Sequence, residues 1–224
     1  MIQKASLFFA AVLLTTGSLI AQSTTVETPL DKQLSRIELG VSGVGEFNKT
    51  VSGPVLSASA PNYKQNLTEE PSNTLGALVN IRYTARPYIG LEFNYGYSRY
   101  VENISPPPGT NSAFGIQSNV LEYTLGYSVK PNHTFFGFQP FVSGGAGTIE
   151  FKPTTHGGEE LPKKARMAYY YNVGLQKEYF GDHFGLRAHV RQVFFLAPDF
   201  GQNYLTILKH TSTFEPGAGF YLRF

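Results

Sequence analysis

The feature that most constrains the fold of this chain is an alternation of apolar and polar residues with a period of two, which recurs eight times after residue 36. In the third repeat, for example, Leu91, Phe93 and Tyr95 alternate with Glu92 and Asn94. Successive side chains of a β-strand point to opposite faces, so each repeat predicts a strand with one apolar and one polar face. The predicted strands span residues 37–47, 74–83, 88–100, 117–129, about 140–151, 166–179, 184–196 and 213–224.

Two of these repeats are less regular than the others. The faces of the fifth strand are ambiguous because the segment is rich in glycine. In the seventh strand the alternation breaks at Gln192 and Val193, where a β-bulge with one extra residue would restore it.

The connections between the predicted strands alternate between short and long. The short ones are residues 84–87, 130–139 and 181–183, and the long ones are residues 48–73, 101–116, 152–165 and 197–212. Tight periplasmic turns and longer extracellular loops are typical of outer-membrane barrels. The pattern therefore predicts an all-β fold, an eight-stranded antiparallel up-and-down transmembrane β-barrel over residues 37–224.

The composition of the two faces predicts which of them contacts lipid. The polar face consists mostly of Gly, Ser, Thr and Asn, and only 15% of the chain is charged, which is too little for a water-facing exterior. The interior of an eight-stranded barrel is just wide enough for side chains to fill it. We therefore expect the apolar face to contact lipid and the polar face to fill the lumen.

Aromatic residues are predicted to form two girdles, since amphipathic rings favour both membrane–water interfaces. One set lies near the short turns: Tyr83, Tyr88, Tyr127, Phe136, Phe138, Tyr179, Phe180, Phe184 and Phe224. The other lies towards the long loops: Phe47, Tyr97, Tyr100, Phe151, Tyr169 and Phe194.

Residues 1–23 are predicted to be a cleaved signal peptide, with residues 24–36 as a flexible segment before the barrel. Lys4 supplies the positive charge, residues 7–14 are apolar, and small residues follow near the predicted cleavage site after Ala21 or Ser23. An uncleaved anchor would need about 20 mostly apolar residues, whereas Thr, Gly and Ser interrupt this run.

With its leader, its eight alternating strands and its last strand, the chain resembles the small OmpA-like outer-membrane β-barrels over nearly all of its mature length. In that family the last strand alternates apolar residues and ends in Phe, here Phe220, Leu222 and Phe224. The resemblance implies location in the outer membrane and recognition of these three residues by the assembly machinery. The sequence departs from full-length OmpA because no peptidoglycan-binding domain follows the barrel, so no tether to the cell wall is implied.

Charged and titratable residues on the predicted inner face are the first candidates for a functional site. They are Glu92, Glu122, Arg187, His189, Arg191 and Glu215. Buried charges need partners because an unpaired one is costly. Arg187 and Arg191 share one strand, so their acidic partners are expected on neighbouring strands. Such a network predicts a structural plug, and a gate or narrow pore is the alternative.

Other possible chemistry is less specific. His210 and Ser212 share one strand face, and with Glu215 they are similar to the catalytic residues of outer-membrane lipid A deacylases, but Glu215 has the opposite parity. His156 and Glu159, with the adjacent Glu160, could bind a divalent cation, but their spacing and ligand type are nonspecific and a solvated loop explains them better.

Cysteine is absent, which excludes disulfides, thiolate catalysis and cysteine-based metal sites, and the net charge of +2 gives no case for binding nucleic acid. We expect no enzymatic activity, no cofactor and no metal. The predicted function is a structural or surface-interaction role, with outer-membrane lipid, lipopolysaccharide and the assembly machinery as partners and an extracellular ligand at the loops as a further hypothesis. The alternatives are a small-solute pore, a lipid A-modifying enzyme and a soluble periplasmic barrel that binds an apolar ligand.

Overall fold

The computed structural model describes residues 29–56, 64–86, 88–105, 113–179 and 183–224. The predicted signal peptide lies outside these residues. Its strands are β1 (Ile37–Asn48), β2 (Val51–Leu56), β3 (Lys64–Pro71), β4 (Thr74–Arg86), β5 (Ile89–Ser105), β6 (Phe114–Val129), β7 (Gln139–Pro153), β8 (Lys164–Tyr179), β9 (Phe184–Leu196) and β10 (His210–Arg223). A short helix, α1 (Pro29–Leu34), occupies part of the segment that was expected to be flexible. No helix in the described part of the chain is long and apolar enough to cross a bilayer.

Eight of the strands form a closed antiparallel ring in the order β1, β4, β5, β6, β7, β8, β9, β10. The ring closes because β1 pairs with β10, from Glu38 opposite Arg223 to Asn48 opposite Thr213. Closure matters in a membrane because lipid offers no hydrogen-bond partner to an open strand edge. The predicted eight-stranded barrel is confirmed, and it is consistent with the resemblance to OmpA-like proteins.

The first long connection contains a β-hairpin that the period-two pattern did not predict. Strands β2 and β3 pair with each other, and residues 68–71 of β3 also pair with residues 102–105 of β5. The hairpin therefore continues the barrel wall alongside the last four residues of β5. With 17 residues, β5 is the longest strand in the described structure, and it pairs with the 16-residue β6 along nearly its whole length.

The side chains of the ring point as the face composition predicts. Leu125 and Phe93 lie on the outer face, with 53% and 40% of their surface exposed, whereas Glu92 and Arg187 are buried inside with 1% and 5% exposed. An apolar exterior over a closed antiparallel ring is the exterior of a transmembrane barrel of the outer-membrane type. A soluble barrel would have the reverse arrangement.

The predicted β-bulge at Gln192 and Val193 is absent, so this expectation was wrong. The pairing of β9 with β8 and with β10 runs without a register shift across these residues. Val193 and Phe195 instead point inward and are buried, while Phe194 points outward. The sequence pattern breaks here because the inner face itself becomes apolar towards the end with the long connections.

The same change corrects the second aromatic girdle. Tyr100 and Phe151 are buried inside the barrel rather than placed at the lipid interface. The outward members of that set are Phe47, Tyr97, Tyr169 and Phe194. On the other side of the barrel, exposed rings include Tyr88, Tyr127, Phe136, Phe138, Tyr179 and Phe224. Phe180 lies outside the described residues.

A charge placed in the middle of the apolar exterior should destabilise the barrel in lipid. We expect Leu125→Arg to lower the free energy of unfolding in lipid vesicles by ~2–4 kcal/mol, since lipid-facing Arg near the midplane costs that much. Denaturant titration measures the change. Leu208→Arg, at an exposed position in the connection between β9 and β10, should change it by less than ~0.5 kcal/mol. Equal losses in the two variants would contradict a lipid-facing exterior at Leu125.

Candidate functional site: the lumen of the barrel

The lower part of the lumen, near the short turns, is organised around one carboxylate. Glu38 on β1 is fully buried. Arg82 Nη1 and Arg187 Nη2 each donate to Glu38 Oε2 at 3.2 Å, and Arg223 Nη2 donates to Oε1 at 2.8 Å. Lys130 Nζ also binds Oε1. Four cations therefore converge on one anion from four other segments of the ring.

A second carboxylate balances part of this positive charge. Arg82 Nη2 donates to Glu92 Oε2 at 2.5 Å, and Arg82 Nε donates to the same oxygen at 3.1 Å. The other oxygen of Glu92 accepts hydrogen bonds from Asn94, Ser143 and Tyr170 at 3.1–3.4 Å. Both oxygens of this buried group are satisfied, as a buried charge requires.

Aromatic rings fill the space between the guanidinium groups of this cluster. The Arg82 and Arg187 guanidiniums lie 4.9 Å and 5.1 Å from the centre of the Phe141 ring, and Arg187 lies 5.0 Å from the Tyr221 ring. Cations over a ring face are attracted by its quadrupole, more strongly where water is excluded. The rings also exclude water from this part of the lumen.

The middle of the lumen holds a second cluster centred on Arg191. Its Nη1 donates to Glu122 Oε2 at 2.8 Å and to Glu215 Oε2 at 2.7 Å, and Nη2 binds Glu122 Oε1. Glu215 lies directly opposite Arg191 on β10, whereas Glu122 reaches it across the lumen from β6. The guanidinium also lies 4.5 Å from the centre of the Tyr170 ring. One arginine thus joins β9 and its neighbour β10 to β6 on the other side of the lumen.

His189 differs from the expectation that it takes part in an ion pair. It lies in the lumen, 5% exposed, but neither ring nitrogen has a hydrogen-bond partner within the described structure. The residues opposite it on the two neighbouring strands are Gly174 and Gly217, which have no side chain to offer. Its own strand supplies only the two arginines, which cannot accept a hydrogen bond.

Above the Arg191 cluster the lumen becomes apolar, which the expectation of a polar lumen throughout did not foresee. The apolar cluster comprises Val51, Val55, Leu67, Tyr100, Ile104, Ile116, Val120, Ile149, Phe151, Ala168, Tyr170, Val193, Phe195, Ala197, Phe200, Leu205 and Ile207. At its centre, the ring of Phe151 lies 5.6 Å from Phe195 and 6.4 Å from Phe200.

Segments from two long connections complete this apolar cluster from outside the ring. The hairpin contributes Val51, Val55 and Leu67, and the connection between β9 and β10 contributes Phe200 and Ile207, among others. Because these residues are buried, the described chain covers the lumen at the end with the long connections. An internal cavity of about 20 Å³ lies at the junction with the Arg191 cluster, which is room for about one water molecule.

The ion-pair candidates chosen from the sequence include five of these charged lumen residues but leave out Glu38, the most connected one. Parity places Glu38 and Arg82 on the polar, inward faces of their strands, but it does not show that they pair. Lys130 follows the last residue of β6 and continues its alternation, a signal hidden by its position in a turn. Which of these charges meet depends on strand register, and the pattern does not contain the register.

The other candidate residues do not assemble a site. His210 is exposed and Ser212 accepts a hydrogen bond from Gln192 on the outer face, whereas Glu215 points inward to Arg191. The three groups needed for a Ser–His–Glu arrangement therefore lie on opposite faces of one strand. His156, Glu159 and Glu160 belong to the described residues, among which no group of three or more such side chains could hold a metal ion.

Comparison with known proteins shows no matching family model and no matching curated protein. Similar solved structures include the N-terminal β-barrel domain of OprF from Pseudomonas aeruginosa, with 14% identity, a TM-score of 0.43 and coverage of 83% of this chain and 97% of that chain. The attachment invasion locus protein Ail of Yersinia pestis, solved with the heparin analogue sucrose octasulfate, has 14% identity, a TM-score of 0.44 and coverage of 84% and 99%. Neisserial surface protein A has 10% identity, a TM-score of 0.48 and coverage of 84% and 97%. Similarity at this level says nothing about the function of this chain. The assignment of its fold rests on its own strand pairing.

Removing the central arginine should be much more damaging than removing an arginine from the outer face. We expect Arg191→Met to lower the free energy of unfolding by ~3–5 kcal/mol, because Glu122 and Glu215 would remain buried without their cation. Urea titration of the refolded barrel measures the loss. The control is Arg99→Met on the exposed face of β5, which should cost less than ~0.5 kcal/mol.

A compensating variant separates the charge from the packing of the arginine. Arg191→Met combined with Glu122→Gln and Glu215→Gln removes both uncompensated charges and should recover most of the lost stability. No recovery in this triple variant would show that the ion pairs are not what holds the cluster together.

Proposed function

We propose that this protein is a structural and surface-interaction barrel of the outer membrane, with a closed lumen and with its long connections facing outside the cell. The observation that carries the proposal is the double filling of the lumen. Paired ions and rings occupy its lower and middle parts, and the apolar cluster occupies its upper part. A solute path would have to separate buried ion pairs and displace packed rings, both of which are costly.

The network has the chemistry of a plug rather than that of a gate. Arg187 and Arg191 on β9 bind carboxylates of β1 and β6, which are not neighbours of β9 in the ring, and Arg82 joins its two neighbouring strands through Glu38 and Glu92. The ions therefore act as cross-links between strands. Aromatic rings fill the gaps around them. A cross-linked interior resists deformation, which suits a rigid support for an exposed surface.

The C-terminal half of the last strand, near the short turns, supports lipid and the assembly machinery as proposed partners. Phe220 and Phe224 are exposed on the outer face near the short turns, and Leu222 is partly exposed beside them. The three side chains form an apolar ladder at the edge where β10 meets β1. Such a ladder is available to lipid in the folded barrel and to an assembly partner before the ring closes.

The surface for an extracellular ligand is the rim formed by the hairpin and the connection between β9 and β10. Exposed apolar side chains there include Leu56 and Leu208. Lys209 Nζ donates to the Ser52 backbone carbonyl at 2.7 Å and ties the two segments together. An ordered rim with exposed apolar groups is a surface suited to contact with another molecule.

Single-cysteine labelling tests the orientation, because the chain contains no cysteine of its own. Leu208→Cys at the rim should react with a membrane-impermeant maleimide on intact cells. Phe136→Cys, at the tip of a short turn and 88% exposed, should react only after the outer membrane is permeabilised. The reverse labelling pattern would place the long connections in the periplasm and remove the proposed surface role.

Planar-bilayer recording tests the closed lumen. We expect no stable channel of nanosiemens size from refolded protein, because buried ion pairs and packed rings fill the lumen and the cavity beside the Arg191 cluster has room for about one water molecule. The same sample should show heat-modifiable gel mobility, which reports a folded barrel. Reproducible steps of nanosiemens size from folded protein would favour the alternative of a small-solute pore.

A further inference from the structure

Two buried carboxyl groups at the extracellular end of the barrel take no part in either ion cluster. Glu69 on β3 and Glu102 on β5 are 2% and 1% exposed. None of their four carboxyl oxygens has a hydrogen-bond partner within the described structure. They contrast with Glu92, whose two oxygens are fully bonded. An unpaired buried carboxylate is among the most costly groups a protein can contain, so these two residues need an explanation.

The two carboxyl groups lie at the junction between the hairpin and the ring. Glu69 pairs in register with Ile104, and Pro71 pairs with Glu102, so the two acids are diagonal neighbours on one face of the β3–β5 ladder. Leu67 on β3 and Tyr100 on β5 lie two residues before Glu69 and Glu102 and point to the same side, and both belong to the apolar cluster. The pair therefore sits in apolar surroundings at the point where the hairpin is attached.

The nearby cations are already bound to another acid. Arg166 on β8 is the positive charge that acts on Glu69, and Asp199 is a further negative charge acting on it. Arg166 Nη2 donates to Asp199 at 2.8 Å and Lys164 Nζ binds Asp199 at 3.0 Å. Among the other titratable groups around Tyr100 are Glu46 and Glu215, which are also acidic. The surroundings thus favour the neutral form of both carboxyls.

Glu69 and Glu102 lie inside the ladder that joins the hairpin to the ring, so the state of this pair can affect the position of the hairpin. Four residue pairs make up the ladder between β3 and β5. The apolar residues of the hairpin and further hydrogen bonds also hold it, including those from Asn103 to the Glu70 carbonyl and from Lys209 to the Ser52 carbonyl. Two charges created inside this junction would have no partner as long as the hairpin stays in place.

We propose that Glu69 and Glu102 form a proton-dependent latch, which holds the hairpin over the extracellular end of the lumen while both carboxyls are neutral and releases it when they ionise. Release hydrates both carboxylates and uncovers the apolar cluster beneath the hairpin. The latch responds to the external medium because it lies beyond the lipid-facing part of β5.

The direction of the pH dependence follows from the pKa values in the closed and open states. Burial raises the pKa of Glu69 to about 9, assisted by the negative charges of Glu102 and Asp199, and burial raises the pKa of Glu102 to about 8. In the open, hydrated state both carboxyls return to an ordinary value near 4.5. The open state thus loses protons first, and the closed state is progressively disfavoured from about pH 4.5 up to the raised pKa values. Below this window closure is at its strongest, and above it closure is at its weakest.

Hydrogen–deuterium exchange of the refolded full chain measures the opening even when the open state is rare. We expect the protection of residues 64–71, corrected for the intrinsic exchange rate, to fall by up to ~10-fold per pH unit for each carboxyl between pH 5 and 8. Residues 166–176 of β8, in the closed ring, serve as the internal reference and should keep their protection.

Variants assign the effect to the latch. Glu69→Gln combined with Glu102→Gln keeps the neutral shape and should make the protection of the hairpin independent of pH. Glu70→Gln, on the exposed face of the same strand, should behave like the unchanged protein. Heat-modifiable gel mobility checks that each barrel is folded. If the double variant does not fold, Glu69→Gln alone tests the latch. It removes the contribution of one carboxyl, which is up to about tenfold in protection per pH unit.

The exchange experiments have one result that supports the latch and others that contradict it. A pH-dependent loss of protection that disappears in the Gln variant and persists in Glu70→Gln supports the latch. Hairpin protection that is constant from pH 5 to 9, or that falls equally in the Gln variant, overturns it. Neither result changes the interpretation of the labelling and bilayer experiments, which test the orientation and the closed lumen.

Discussion

Closure of the strand ring is the constraint on which the rest of this structure depends. Once β1 pairs with β10, every strand has two neighbours and the ring has no free edge at membrane depth. Closure with eight strands also fixes a narrow interior, in which every inward side chain must fit its neighbours. Three sets of side chains fill this narrow interior: the ion clusters, the aromatic rings packed against them, and the apolar cluster above them.

The side chains that fill the interior change from charged to apolar along the barrel axis. Near the short turns, charges converge on Glu38 and Glu92, and the network extends to Arg223, which is partly exposed at the end of β10. Towards the long connections the filling is apolar, and it merges with side chains from the hairpin and from the chain between β9 and β10. The described parts of these two connections are thus a continuation of the core.

The sequence predicted the strands and the direction of most side chains because parity is a local property, visible along each strand. It predicted Glu92, Glu122, Arg187, Arg191 and Glu215 as inward charges for the same reason. It could not predict that Arg191 meets Glu122 across the lumen, since that contact depends on the stagger of the three strand pairings that separate β9 from β6. The hairpin was missed because its strands are short and their apolar residues are few. The false bulge at Gln192 and Val193 has a related cause: a lipid-facing exterior and an apolar interior give the same residue types on both faces, so alternation alone cannot tell them apart.

The unusual length of β5 and β6 gives the barrel an asymmetric rim. From Tyr97, an outward ring of the upper girdle, β5 continues to Ser105, which is roughly 26 Å along the strand. With the strand tilt of about 40° found in such barrels, that wall rises on the order of 20 Å above the lipid. Across the ring from β5, β9 ends at Leu196, two residues after Phe194 of the same girdle. The strand wall is therefore much taller on the β5 side than on the β9 side, so this end of the barrel is a slope rather than a level rim.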